Sequence, residues 1–400
     1  MRAPAQAIIL MNSNTRTYWR IAGFYFFYYA FIGLFAPYWS LYLQSIHFNA
    51  VEIGILMSVQ PVMRMLAPSL WGWLADHSGR RLQVVQIAAA LSALFYFGVF
   101  FTVSFWGMFL VLGLMSFFWS ASMPLVEATT LSYLGKHTAR YGRIRSWGSV
   151  GFIVAVVGLG YAFDYIAIAW LLWAGLICEL GIFLFSRLLP ETRGTAHHTD
   201  RQPVSSILFQ TRVLALFAAC FVMAAAHGPY YIFFSIYLVE HGYAKSAVGG
   251  LWALGVICEI GVFFLMPWIT RHFSFTQILI GSFGLAVLRF FLIAWYVDVL
   301  GLLLLAQMLH AATFGAYHAA SVGLVHELFQ GRHQAKGQAL FGSLTYGAGG
   351  MVGGMASGPI WQHYGASVLY SCSALLALLG LTLIAWKLRL AKASLTGMEM

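Results

Sequence analysis

Charge is what this chain has least of. Of its 400 residues only 8% are Asp, Glu, Lys or Arg, and just 12 are acids. A soluble domain carries about 25% charged residues, so a water-exposed globular fold is excluded. Cysteine is scarce as well. Cys178, Cys220, Cys258 and Cys372 all fall inside apolar stretches and lack metal-ligand spacing. They read as small buried hydrophobes, which leaves out a disulfide framework and a bound metal. No G-x-x-x-x-G-K-[ST] run occurs, and the short loops hold no cluster of His, Asp and Glu. A polytopic membrane enzyme or a cofactor-dependent one therefore lacks its signature. The net charge of +10 raises nucleic acid as a partner, but such domains gather their bases on one soluble face. Here the bases lie in short connections between apolar runs, so the partner implied is the lipid bilayer and not nucleic acid. What is abundant is hydrophobicity: 61% of residues, with 17% aromatic.

A bilayer core of about 30 Å needs about 20 apolar residues per helix. On that measure spans are expected near 18–44, 51–75, 82–102, 106–134, 144–163 and 166–188, then near 211–239, 246–270, 275–296, 299–328, 336–362 and 366–388. The first long apolar run, Tyr18 to Leu43, has no small-residue cleavage site and reads as a retained helix. A polar stretch from Pro190 to Pro203 separates the two sets. The expected organisation is an all-α membrane protein of two pseudo-symmetric six-helix bundles, 1–189 and 210–400, joined by a linker over 190–209. All Lys and Arg except Arg64, Lys245 and Arg289 lie in the tails and even-numbered loops. That bias predicts a multi-pass protein of the inner membrane with both termini in the cytoplasm.

Ionisable side chains at mid-bilayer cost about 2.5–3.5 kcal/mol each on insertion scales, so they face a cavity or a partner. The spans hold Arg64, Glu127, Glu179, Glu259 and Arg289, with His227, His310 and His318 as further titratable groups and Arg145 at the start of helix five. Glu127 with Arg145, and Glu259 with Arg289, read either as structural ion pairs or as binding groups. His310 and His318, eight apart, fall near one helical face with Thr313 and Tyr317. Glu179 and His227 read as structural. Helix five is rich in glycine (Gly148, Gly151, Gly158, Gly160) and so is helix eleven (Gly347, Gly349, Gly353, Gly354, Gly358 among others). Such helices approach neighbours closely, as static packing or as contacts that slide.

The connection after helix two reads Gly72-Trp-Leu-Ala-Asp76-His-Ser-Gly79-Arg80-Arg81. Gly72 suits close helix packing, Asp76 offers negative charge to helix N-termini, and Gly79 suits a tight turn. The run fits G-x-L-A-D-x-x-G-R-R and resembles the cytoplasmic loop signature of the major facilitator superfamily. The resemblance implies that fold, a secondary transporter and a gating role for Asp76. Val126-Glu127-Ala128 followed by Tyr141-Gly142-Arg143-Ile144-Arg145 resembles the helix four to five region of lactose permease. There the matching glutamate and arginine form a charge pair that binds substrate, and Glu259, Arg289 and His310 fall on further residues of that family's pattern. Its helix-ten carboxylate is replaced here by Thr313. Along most of the chain the phenylpropionate permease branch is more similar, through Arg145-Ser-Trp-Gly-Ser-Val, His227 with Tyr230-Tyr231, Leu251-Trp252-Ala-Leu-Gly and Leu309-His310.

These resemblances imply proton-coupled uptake of an aromatic monocarboxylate at a midplane site, powered by the proton gradient with no cofactor. The partners implied are a small-molecule substrate, protons and lipid, with the protein acting as a monomer. Sugar or nucleoside symport is the main rival and drug efflux the next; a scaffold has no feature in its favour. Glu127, Arg145, Arg64, Arg289 and His318 are expected to bind substrate, and Glu259 with His310 to couple the proton. Glu127 is expected to pair with Arg145, and Gly72, Asp76, Gly79, Arg80 and Arg81 to form the gating loop.

Overall fold

The computed structural model describes the backbone of residues 3–135, 137, 140–191 and 205–396, and the side chains of 15–135, 137, 140–191, 207–331, 333–334 and 336–386. Among them there is no β-strand. Six long helices fill the first half: α1 (Thr15–Ser45), α2 (Ala50–Ser78), α3 (Arg81–Phe101), α4 (Phe105–Leu134), α5 (Tyr141–Ala162) and α6 (Ile168–Arg187). The second half holds α7 (Thr211–Glu240), α8 (Lys245–His272), α9 (Phe275–Trp295), α10 (Leu300–Leu328) and a 51-residue run, Lys336–Trp386. That run leaves helical geometry at Gly365, with φ 79° and ψ 178°. Glycine reaches that φ without a Cβ clash, so the run divides into α11 (336–364) and α12 (366–386). Twelve spans result among the described residues. The linker expected over 190–209 lies mostly outside them, and its described end is one helical turn, Ser205–Leu208.

Local chemistry starts several of these helices. At α2 the Asn49 N–H donates to Glu52 Oε2 (2.9 Å) and the Glu52 N–H to Asn49 Oδ1 (3.0 Å). Ser274 and Gln277 form the same reciprocal box at α9. Each arrangement satisfies N–H groups that a helix start leaves unpaired. Large apolar side chains remain exposed around the spans, Phe264 at 82% and Trp106 at 75%. In water such a surface would aggregate; facing lipid it costs nothing.

By backbone contact the chain forms two compact units, Met1–Tyr42 with Leu66–His197, and Leu43–Met65 with His198–Met400. In the first, α1 and α5 meet backbone to backbone. A Cβ on Gly151 would lie 2.1 Å from the Phe26 carbonyl, and one on Gly33 would lie 2.7 Å from that of Phe152. Gly158 has open space. In the second, α7 and α11 meet in the same manner, with a Cβ on Gly353 falling 2.1 Å from the Ala225 carbonyl. Pro229 has no N–H to offer that carbonyl, and Gly353 fits against it. The same helix draws residues 43–65 into this unit. A Cβ on Gly358 would meet the Ala50 carbonyl at 2.6 Å, and one on Gly354 the Ser58 Oγ at 2.3 Å.

Candidate functional site

In the second unit the polar side chains gather around Arg289 of α9, which is wholly buried. Its Nε donates to the Ala306 carbonyl (3.1 Å), and its Nη1 to His227 Nε2 (3.3 Å) and Thr313 Oγ1 (3.4 Å). The His227 Nδ1 faces the Met223 carbonyl at 2.9 Å. A carbonyl only accepts, so Nδ1 carries the proton and Nε2 offers its lone pair to the arginine. The guanidinium lies over the Tyr230 ring at 4.2 Å, and the Tyr230 hydroxyl donates to Gln307 Oε1 at 2.9 Å. Arg289 Nη2 and Gln307 Nε2 are buried and have no hydrogen-bond partner. No carboxylate stands within ion-pair distance of Arg289 among the described residues.

The carboxylate Glu259 of α8 stands instead beside His310, with Oε2 3.9 Å from Nε2. Glycines make room for the pair: a Cβ on Gly315 would press on Glu259 Cγ at 3.0 Å, and one on Gly255 would lie 3.3 Å from His310 Cδ2. The rings of His310, Phe314 and His318 stack in a nearly parallel column, at 5.3 and 6.3 Å. In a regular α-helix positions four apart drift round the axis by about 40° per step. Residues Ala311–Ala316 are wound as π-helix, and this wider turn offsets the drift. The sequence reading took helix ten as regular and missed this. His318 Nδ1 meets the Tyr346 hydroxyl at 2.7 Å, and Tyr346 lies in a second π-wound stretch, Ser343–Gly349 of α11. Arg64 is exposed, within electrostatic reach of Tyr231.

In the first unit Arg145 of α5 lies over the Tyr29 ring at 3.9 Å and donates to its hydroxyl. Glu127 of α4 accepts from the Tyr141 hydroxyl at 3.1 Å. The expected Glu127–Arg145 pair is not formed: among the described residues no ion pair joins them, because tyrosines engage each. In the sequence Tyr29 is one ring of six in the aromatic run Phe24 to Tyr29, with nothing to set it apart. His227, read as structural, touches Arg289 directly. Thr313, at the position of the missing carboxylate, accepts a bond from Arg289.

The 72–81 connection is also partly corrected. Gly79 sits at φ +62°, as a tight turn needs, and the turn joins α2 to α3. A Cβ on Gly72 would meet nothing within 4 Å, so this glycine does not serve close packing here. Asp76 and Arg80 are exposed, Arg81 is half-buried, and Asp76 makes no hydrogen bond or ion pair among the described residues.

Twelve apolar helices among the described residues, with buried and half-buried charged groups inside them, make a multi-pass membrane protein. A family model described as "MFS_1 like family" matches residues 18–372, and the chain belongs to that family, within the major facilitator superfamily. It is similar to the "Probable 3-phenylpropionic acid transporter" of Escherichia coli strain K12, 29% identical over 88% of this chain and 93% of that protein. It is likewise similar to the "Maltose permease" of Geobacillus stearothermophilus, 30% identical over 74% of this chain and 70% of the permease. The crystal structure of the nucleoside transporter NupG superposes with a TM-score of 0.80 at 18% identity, covering 93% of this chain and 100% of that one. This last likeness bears on the fold alone.

Proposed function

We propose that the protein is a proton-coupled symporter of the inner membrane that imports a small organic anion, an aromatic monocarboxylate of the phenylpropionate kind, by alternating access. The observation that carries this reading is a pair of membrane guanidiniums held on tyrosine rings, Arg145 on Tyr29 and Arg289 on Tyr230, with no carboxylate in ion-pair contact among the described residues. A cation taken out of water and left without a counter-charge costs several kcal/mol. A substrate carboxylate that supplies the charge recovers part of that cost, whereas a neutral sugar does not.

In this reading Arg145, half-buried and reachable, takes the carboxylate while Tyr29, also half-buried, offers its ring to an aromatic substrate. Arg289, Arg64 and His318 are the substrate-binding groups of the second unit. Glu127, held by the Tyr141 hydroxyl, also contacts the substrate without pairing with Arg145. Glu259 carries the coupled proton and His310 exchanges it. Their spacing of 3.9 Å is one small side-chain motion from a direct hydrogen bond. Asp76, on the exposed turn with Gly72, Gly79, Arg80 and Arg81, acts in gating. The charge bias of the loops supports both termini in the cytoplasm, and the protein acts as a monomer in this reading.

The relative named for 3-phenylpropionic acid supports the aromatic acid. The maltose permease relative supports the second reading, a sugar or nucleoside symporter. Uptake of labelled 3-phenylpropionate, maltose and uridine by expressing cells, with and without a protonophore, separates the two. Accumulation of phenylpropionate that the protonophore collapses is expected. Accumulation of maltose or uridine that phenylpropionate does not inhibit overturns the anion reading.

A further inference from the structure

Apart from both polar clusters, the first unit contains a cavity of about 460 Å³. Tyr18 of α1, Tyr133 and Leu134 at the end of α4, His137 of the connection, and Arg140 and Arg143 at the start of α5 line it. Its size lies in the range of about 300–1,000 Å³ usual for small-ligand sites. The lining holds two guanidiniums and an imidazole but no acid. Arg140 and Arg143 are exposed, and neither guanidinium has an acceptor among the described residues. No side chain caps α5, so the first N–H groups of that 22-residue helix add positive potential at the same place.

A second observation says where such an anion comes from. The Trp147 indole donates to the Tyr18 hydroxyl at 2.9 Å. Trp19 packs edge-on against both rings at 5.2 Å and is itself 51% exposed. Amphipathic rings of this kind gather at the headgroup level of a bilayer, where one edge is wet and the other is in hydrocarbon. The buried side chains of Leu134 and Ile144 give the cavity an apolar floor.

We propose that this cavity binds the phosphate of an anionic phospholipid, with Arg140 and Arg143 as a fork and Tyr18 and Tyr133 beside the headgroup. Guanidiniums match phosphate oxygens in pairs, and the interfacial rings hold the glycerol region at that depth. A soluble phosphate shares the anion chemistry but makes no use of the aromatic cluster.

The test is lipid retention by the purified full-length protein, measured by native mass spectrometry with phosphatidylglycerol and phosphatidylcholine of matched chains, and with inorganic phosphate in a parallel thermal-shift series. Selective retention of phosphatidylglycerol is expected, weakened roughly tenfold or more in R140Q/R143Q and retained within a few-fold in R140K/R143K. Should the double variant not fold, Arg143→Gln alone is expected to weaken retention several-fold. Equal retention of the two lipids, or unchanged phosphatidylglycerol retention in whichever glutamine variant folds, overturns the site. Stabilisation by inorganic phosphate that phosphatidylglycerol does not exceed assigns it to a soluble anion and overturns the lipid.

Discussion

In the first unit Arg145 lies over Tyr29 at 3.9 Å and stays half-buried, whereas in the second Arg289 lies over Tyr230 at 4.2 Å and is wholly buried. The two tyrosines come from α1 and α7, the opening helices of the two halves. The neighbours differ. Around Arg145 the polar groups are hydroxyls, and the nearby carboxylate is held by a hydroxyl. Around Arg289 they are the His227 imidazole and the Thr313 hydroxyl, with Thr313 on the helix whose π-wound stretch aligns His310 and His318. In the first cluster the hydroxyls offer hydrogen bonds, while in the second His310 stands 3.9 Å from Glu259, a base and an acid between which a proton can pass. Under the proposed function the first cluster is the binding group and the second the proton-exchanging one.

The sharpest way to break that assignment is Glu259→Gln, which removes a proton site and leaves the arginines untouched. Uphill accumulation is expected to vanish while exchange of internal for external substrate persists. If the variant still concentrates substrate and a protonophore still collapses it, the proton binds elsewhere and His310 or His318 takes the role. Next in size is Arg145→Lys. An ammonium keeps the charge and loses the planar fork. A loss of about 1.5–3 kcal/mol in substrate binding is expected, roughly 10- to 150-fold, read from the concentration dependence of exchange. The same change at Arg289 is expected to lower protein stability as well, because its Nε and Nη1 bonds are buried.

Smaller effects test the scaffolds. Gly353→Ala and Gly151→Ala each push a methyl within 2.1 Å of a backbone oxygen, and a cost of about 1–3 kcal/mol is expected from overpacking. Gly158→Ala meets open space and is expected to leave the melting temperature unchanged. A Gly151→Ala protein as stable as the Gly158→Ala one would show that the α1–α5 contact yields freely. The smallest effect is expected from Tyr141→Phe, which removes one neutral hydroxyl from Glu127. A change of about 1 kcal/mol in substrate affinity is expected, and none in the accumulation ratio if Glu259 carries the proton as proposed.

Much of the fold was legible because it depends on short-range pattern. Apolar length set the spans, and Gly79 marked its turn. Partner choice was not legible. Glu127 and Arg145 read as a pair because opposite charges in a membrane attract, yet Tyr141 and Tyr29 stand closer to them in the folded unit. His227 was part of the family resemblance but read as structural, and its contact with Arg289 joins α7 to α9, 62 residues apart. Gly72 matched a motif, but no neighbouring helix comes near it.

By itself the sequence determined that this chain crosses a membrane in apolar spans, because 8% charge and 61% hydrophobicity permit no other solvent; its motifs carried the resemblance to a transporter family. It also named the ionisable residues worth examining, since each is too costly in hydrocarbon to be there by accident. Only the tertiary structure decided which of these groups touch. It took Glu259 to His310, stacked both arginines on tyrosines, and joined residues 43–65 to the C-terminal helices through the glycines of α11. The reason is physical. Helix formation in a bilayer is settled by backbone hydrogen bonds within each span, while side-chain pairing depends on how helices far apart in sequence rotate and approach.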